Sequence, residues 1–264
     1  MNRRLCPQTG VVYYASCLLD DLGVRHAFST RIGGVSRAPF DALNLGNPSG
    51  DGPKDDAASI AENYRRFFAA AGIQGARAFV HQVHGSKVVR VERGRPHDGC
   101  RQADALASND PARALSVRVA DCVPVLVASA DGRCVAAVHA GWRGVVEGVV
   151  REALRDLRRM GAREPFTVAI GPCIGRERFE IGGDVLDAFN HTFGGSAPVL
   201  RRFGRRGNAD LTRAVRYQLI DEGIPEVRID SLELCTHQHS AEFFSHRRDA
   251  KRSGRMAAVI VPAA

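Results

Sequence analysis

Apolar residues along this chain fall into short blocks divided by polar, glycine-rich or proline-rich breaks, and the spacing inside each block predicts its form. RHAFST (25–30) reads as a short strand, and the glycine- and proline-punctuated stretch that follows it, RIGGVSRAPFDALNLGNPSGDGPKDD, as a long loop. From Asp56 to Gly72 apolar residues return at three- and four-residue intervals, which predicts a helix capped by Gly72. AFVHQVHGSKVVRVE predicts two strands around His84-Gly85. ALSVRVADCVPVLVAS carries two apolar segments broken at Ala120-Asp121-Cys122, and after a turn at 130–133 CVAAVH returns as a strand. An amphipathic helix is expected from Val145 to Met160, then a buried strand in FTVAIGPCIG that runs into a Gly-Pro turn. Leu211 to Glu222 reads as a helix, and VRIDSLELC and MAAVIVP as strands.

Several of these strands follow one another with no helix between them. That favours an α+β arrangement of mixed sheets with flanking helices over a doubly wound parallel sheet. No linker or internal repeat divides the sequence, so residues 1–264 are expected to form a single domain.

Composition narrows the setting. With 44% apolar and 25% charged residues the chain is an ordinary globular one. No apolar run approaches the roughly 18 residues of a membrane span. MNRRLCPQTG has no apolar stretch behind its basic residues, so no secretory signal is expected. Seven irregularly spaced cysteines without a CxxC pair suit a reducing, cytoplasmic setting better than a disulfide framework. The net charge of +8, bunched in RRFGRRGN (201–208) and HRRDAKRSGR (246–255), favours anionic partners. Aromatic residues are only 6% and are not interleaved with the basic clusters, which weakens the case for a single-strand-binding platform. A nucleic-acid-binding module built on those clusters stands as the non-enzymatic rival, with salt-sensitive, zinc-independent affinity.

Three positions follow or interrupt apolar strands with side chains that can do chemistry: His84 in HQVHG, Cys122 in ADCVP and His139 in HAGWRG. Imidazole and thiolate are good zinc ligands, and three protein ligands with an open position is the catalytic pattern. The three lie far apart in the chain and match no short local zinc motif. A hydrogen-bonded structural histidine and a buried cysteine remain the bland readings, and a Cys122 nucleophile with His139 as its base is another. Arg143, at the entrance to the 145–160 helix between Gly141 and Gly144, is placed to meet an anion. Trp142 suits either stacking on a planar ring or core filling.

GVRHAFSTRIGGVS, HQVHG, ADALAS, ADCVPVL, AAVHAGWRG, IGPCIG, LCT and FFSHRRD occur in this order from Gly23 to Asp249. In these motifs the chain resembles the YfiH family (DUF152), also catalogued as polyphenol oxidase laccases and as peptidoglycan editing factors. The resemblance implies an α+β sandwich, distantly similar to deamidating bacterial toxins, and one Zn2+ held by His84, Cys122 and His139; His81 is not at a ligand position. It also implies phosphorolysis of adenosine, inosine and methylthioadenosine, and adenosine deamination. Purine nucleoside and phosphate are then the expected partners, with neither membrane nor nucleic acid.

The chemistry can be set against the residues. Phosphorolysis needs an anion site, for which Arg143 with Arg247 or Arg248 is the expected set. Zinc deaminases pair H-x-E with PCxxC; here Gly141 stands where that glutamate would be, so deamination needs another acid–base group. Asp121 is the candidate, weighed against a turn-forming or ligand-supporting role. A zinc- or Cys122-dependent amidase acting on peptidoglycan precursors is the rival enzyme. The copper-oxidase label fits worst: several copper sites need many clustered histidines, and the nine here include one HxH pair, His237-Gln238-His239.

Overall fold

Val123–Ala128 and Val135–Ala140 show no alternation of apolar and polar residues because both of their faces are covered. In the computed structural model they are the central, antiparallel pair of a six-stranded mixed sheet. Its strand order is Ile229–Ser231, Thr167–Ile170, Val123–Ala128, Val135–Ala140, Ala105–Ser108 and Val88–Val91. A second six-stranded sheet runs Asn2–Leu5, Val12–Ala15, Arg25–Ser29, Met256–Val261, Arg113–Val119 and Ala76–Ala78. The structure describes every residue except Ser49, Asp98, Arg202, Phe203 and Arg205, and every side chain but theirs and those of Arg201 and Lys251.

The two sheets pack face to face. Leu115, Val117, Ala258 and Ile260 of one sheet meet Leu106, Leu126, Val135 and Ala137 of the other in one buried core. Positions of opposite parity point outward and are covered by helices. Val125, Ala136 and Val138 pack under Leu154 and Leu157 of the helix Val149–Arg159 and under Val215 and Leu219 of Leu211–Asp221. Ala114, Ala257 and Val259 lie under Tyr64 and Phe67 of the helix Ala57–Ala71. The result is a layered α+β sandwich of mixed sheets with flanking helices, as the strand pattern predicts. A small three-stranded sheet, Glu180–Ile181, Gly207–Ala209 and Val199–Arg201, sits beside it.

Three local differences separate the structure from the sequence reading, the first two of them at the site. The expected 145–160 helix begins at Trp142 and is broken: Trp142–Glu147 ends at Gly148, whose φ of 82° is left-handed, and Val149–Arg159 starts anew. Gly148 donates to the carbonyls of Gly144 and Val145, the satisfied turn that an amphipathic pattern alone does not reveal. The segment before His84 is not a strand. Past the strand Ala76–Ala78 it meets the second sheet through Gln82, whose side chain bonds both the N–H and the carbonyl of Arg118, while His81 makes an isolated bridge to Gln102 and His84 takes a left-handed φ of 63°. VRIDSLELC is likewise strand only over Ile229–Ser231.

Candidate metal centre and cation-lined cavity

His139 occupies the next inward-facing position after Val135 and Ala137, at the end of its strand, so it emerges at the mouth of the inter-sheet core. Cys122 stands in the turn joining Arg113–Val119 to Val123–Ala128 and packs against the same core. His84 is brought in by the HQVHG loop. The ligand atoms of His84, Cys122 and His139 all lie within 4.8 Å of one another, and among the described residues they are the one His/Cys/Asp/Glu group arranged to hold a metal ion. Their burial is graded: His139 is buried, Cys122 half-buried and His84 exposed. The cluster therefore opens on one side. The HxH pair at His237 and His239 does not join it.

Asp104, fully buried, holds the group together. Its carboxylate accepts the backbone N–H groups of Val83, His84 and Gly85 at 3.2, 2.9 and 2.8 Å. It also bonds His139 Nδ1 at 2.8 Å, which turns Nε2 toward Cys122 and His84. A carboxylate behind a histidine in this way fixes ring and tautomer for metal ligation. Burial alone would raise the Asp104 carboxyl, but His139 and the backbone donors hold it below the usual range. In the metal-free chain burial also opposes a charged Cys122, yet His139 and His84 beside it bring the thiol down to about 6. Burial disfavours a charged His139 too, and Cys122 and Asp104 outweigh it and lift the imidazole to about 9. The sulfur is thus prepared as a thiolate, the form that binds metal or acts as nucleophile.

Gly141 completes the cradle. A Cβ there would stand 2.9 Å from His84 Cδ2, 3.2 Å from Cys122 Sγ and 3.8 Å from His139 Cε1. Two imidazoles, a thiolate, a supporting carboxylate and a glycine gap are the donor set and the room that a single metal ion needs.

The cluster lies in the wall of a cavity of about 490 Å³, within the range of small-molecule sites. Arg118, Arg143, Arg247 and Arg255 line it, with His81 and His246. Arg143 falls inside the first turn of the six-residue Trp142–Glu147 helix and stacks on Trp142, 4.4 Å from the ring centroid, so its place follows from that stacking and not from a long helix behind it. Arg247 reaches the cavity while one Nη1–H donates to the Glu180 carbonyl at 2.8 Å.

Arg248 does not. Its guanidinium donates to the carbonyls of Thr236, His237 and Phe243 and to both oxygens of Asp249, which consumes its donors in tying down the 236–249 loop. Of the arginines expected to meet an anion, Arg143 and Arg247 line the cavity and Arg248 is not among its lining residues. Asp121 lines the cavity, but Thr236 Oγ1 and the Arg247 backbone N–H each donate to one of its oxygens at 2.7 Å. Its carboxylate ties two loops together, the supporting role weighed above. Of the basic run 201–208, Arg202, Phe203 and Arg205 lie outside the described residues.

Asp104, Arg118 and Arg255 were not singled out by the sequence. ADALAS marks Asp104 only as a polar residue at the start of a strand, and nothing local reveals that its partners are two other motifs.

Comparison with known proteins bears on the whole chain. The family model described as multi-copper polyphenol oxidoreductase laccase matches residues 25–263. The Escherichia coli protein named purine nucleoside phosphorylase YfiH is 38% identical over 240 residues, covering 90% of this chain and 93% of that protein. The crystal structure of YlmD from Geobacillus stearothermophilus superimposes with a TM-score of 0.85 at 29% identity, covering 96% of each chain. That of the Bacillus licheniformis hypothetical protein YfiH gives 0.85 at 26%, covering 99% of each.

Proposed function

Since the chain belongs to the YfiH, or multi-copper polyphenol oxidoreductase laccase, family, we propose that it is a zinc-dependent purine nucleoside phosphorylase acting on adenosine, inosine and methylthioadenosine. The observation that carries this reading is one His84–Cys122–His139 cluster in the wall of a cavity lined by four arginines. A single thiolate-and-imidazole site suits zinc better than the several copper centres of a multicopper oxidase. When bound, zinc supplies a Lewis acid that polarises a substrate atom.

The chain's own residues do the rest. In phosphorolysis a phosphate oxygen bonds to the ribose C1′ as the C1′–N9 bond breaks, and the purine leaves with that electron pair and takes up a proton. The arginines hold the phosphate anion and screen its charge as it approaches the sugar. Trp142, half-buried in the wall with Arg143 stacked on its ring, lies where a planar base would meet this pair. Asp104 keeps His139 and the His84 loop in one arrangement throughout, so the site is formed before substrate arrives.

The test is incubation of the purified protein with adenosine and phosphate. Adenine and ribose 1-phosphate should appear only when phosphate is present, disappear on chelation and return with zinc. Inosine among the products would register deamination as well. Products that persist unchanged in Cys122→Ala would refute the site. One observation favours a second reading: a thiol held near 6 beside His139 suits a Cys122-dependent amidase. Cleavage of muramyl-peptide precursors that survives chelation, with no phosphorolysis, would establish that activity instead.

A further inference from the structure

We propose that Arg118 and Arg255 form a preorganised site for the tetrahedral oxyanion of free inorganic phosphate. The phosphorolytic reading above supplies the identity of the anion; the site itself stands on the following geometry.

Arg118 faces Ala257 across the antiparallel pair of Arg113–Val119 and Met256–Val261. Arg255 lies two residues before Ala257, so it shares that face of the sheet and is the diagonal neighbour of Arg118. Both side chains line the cavity beside Cys122. The Leu43–Asn47 loop covers them. Leu45 N–H donates to the Arg255 carbonyl at 2.9 Å, and Asn44 Oδ1 accepts the Arg255 N–H at 2.8 Å. A Cβ on Gly46 would lie 2.8 Å from Arg118 Cδ and 3.0 Å from its Nη1, so the absence of a side chain at Gly46 lets the guanidinium pass beneath the loop.

Neither cation has an acidic partner. Among the described residues the Arg118 guanidinium has no hydrogen bond or ion pair, and Arg255 Nη1 donates only to the carbonyls of Ser253 and Gly254, each at 2.9 Å. Other arginines of the protein are ion-paired, such as Arg90 with Asp156 and Arg158 with Glu222. Burial presses the Arg255 guanidinium toward its neutral form and Arg118 adds to that pressure, while Cys122 and Asp121 oppose it. Two adjacent, unpaired guanidinium forks held in a cavity cost stability that an anion recovers. Their rigid donors match a multiply charged oxyanion with several acceptor oxygens. Arg143 and Arg247 differ in kind: both are exposed, and each is already engaged with an aromatic ring, Trp142 and Phe179.

The test titrates inorganic phosphate alone into the zinc-loaded protein by calorimetry, and measures KM for phosphate and for nucleoside separately. Arg118→Gln should weaken phosphate binding and raise its KM by about 10- to 100-fold, the span of a lost charged hydrogen bond, with the nucleoside KM within about twofold. Arg118→Lys should recover part of the loss. The melting temperature of Arg118→Gln should stay level or rise, because the substitution relieves a like-charge contact; a purely structural arginine would lower it. Unchanged phosphate affinity in Arg118→Gln, with turnover intact, overturns this site and leaves the phosphorylase reading standing. Phosphate binding that is lost in the variant, in a protein that splits no nucleoside, supports the site and overturns that reading. Adenosine 5′-monophosphate binding that is tighter than phosphate and equally sensitive to Arg118→Gln overturns the assignment to free phosphate.

Discussion

Gly141→Ala is expected to strip the metal from the protein while leaving the fold in place. Gly141 has φ −73° and ψ 166°, extended backbone that any residue adopts, so alanine brings no conformational strain. As the cap before Trp142–Glu147, the position loses at most about 1 kcal/mol on this exchange. The added methyl has nowhere to go: it meets the His84 ring at 2.9 Å and the Cys122 sulfur at 3.2 Å. His139 cannot swing aside because Asp104 holds its Nδ1, and the His84 backbone is pinned by the same carboxylate. The conflict is therefore resolved by spreading the three ligands. Zinc affinity should fall at least about 100-fold, beyond the usual effect of disturbing a supporting residue, and phosphorolysis with it. Competition against a chromophoric chelator measures the affinity, and thermal melting of the metal-free proteins checks the fold. A variant that keeps one tightly held zinc per chain would contradict the described cradle.

Asp104→Ala should damage both stability and metal binding. The carboxylate gathers three backbone N–H groups of the His84 loop and one imidazole nitrogen, all at 3.2 Å or less. Its removal leaves those donors unpaired around a fully buried position and takes away the partner that favours a charged His139. A loss of about 3 kcal/mol or more is expected, since one half of a buried charged pair has been deleted. Zinc affinity should also drop about 10- to 100-fold, as it does when a histidine loses its supporting carboxylate. Urea denaturation of the apo-protein separates the two effects, because only the stability loss remains without metal. Equal midpoints for wild type and variant would show that Asp104 does not clasp the loop. The contrast with Gly141→Ala is diagnostic: one substitution acts on the metal alone, the other on metal and fold together.

The sequence makes some of this plain and conceals the rest for identifiable reasons. The helix Ala57–Ala71 is legible because its ends carry their own signals, Asp56 accepting the Ser59 N–H and Gly72 turning left-handed. The central strands are legible as apolar runs, and their ends at Cys122 and His139 stand out as chemically odd. The shape of the HQVHG segment is not legible. Its left-handed His84 depends on Asp104, which lies in another motif and reads locally as one acidic residue in a strand lead-in. Nor can Arg247 and Arg248 be told apart by composition. Ser245 caps the short His246–Asp249 helix, and that turn sends one guanidinium to the cavity and the other into the loop carbonyls. Arg118 is hidden in ALSVRVADC as an ordinary polar alternation of a strand, and Arg255 in a run of surface charge. Only the strand register, with Arg118 opposite Ala257, makes them neighbours.

The role of the cluster is tested most directly by X-ray absorption at the zinc edge of the purified, unsupplemented protein, read together with its metal content. One zinc per chain with two nitrogen ligands and one sulfur ligand from the protein is the predicted result, and the sulfur signal should vanish in Cys122→Ala. Zinc without any sulfur neighbour, or several copper ions per chain in place of one zinc, would contradict it.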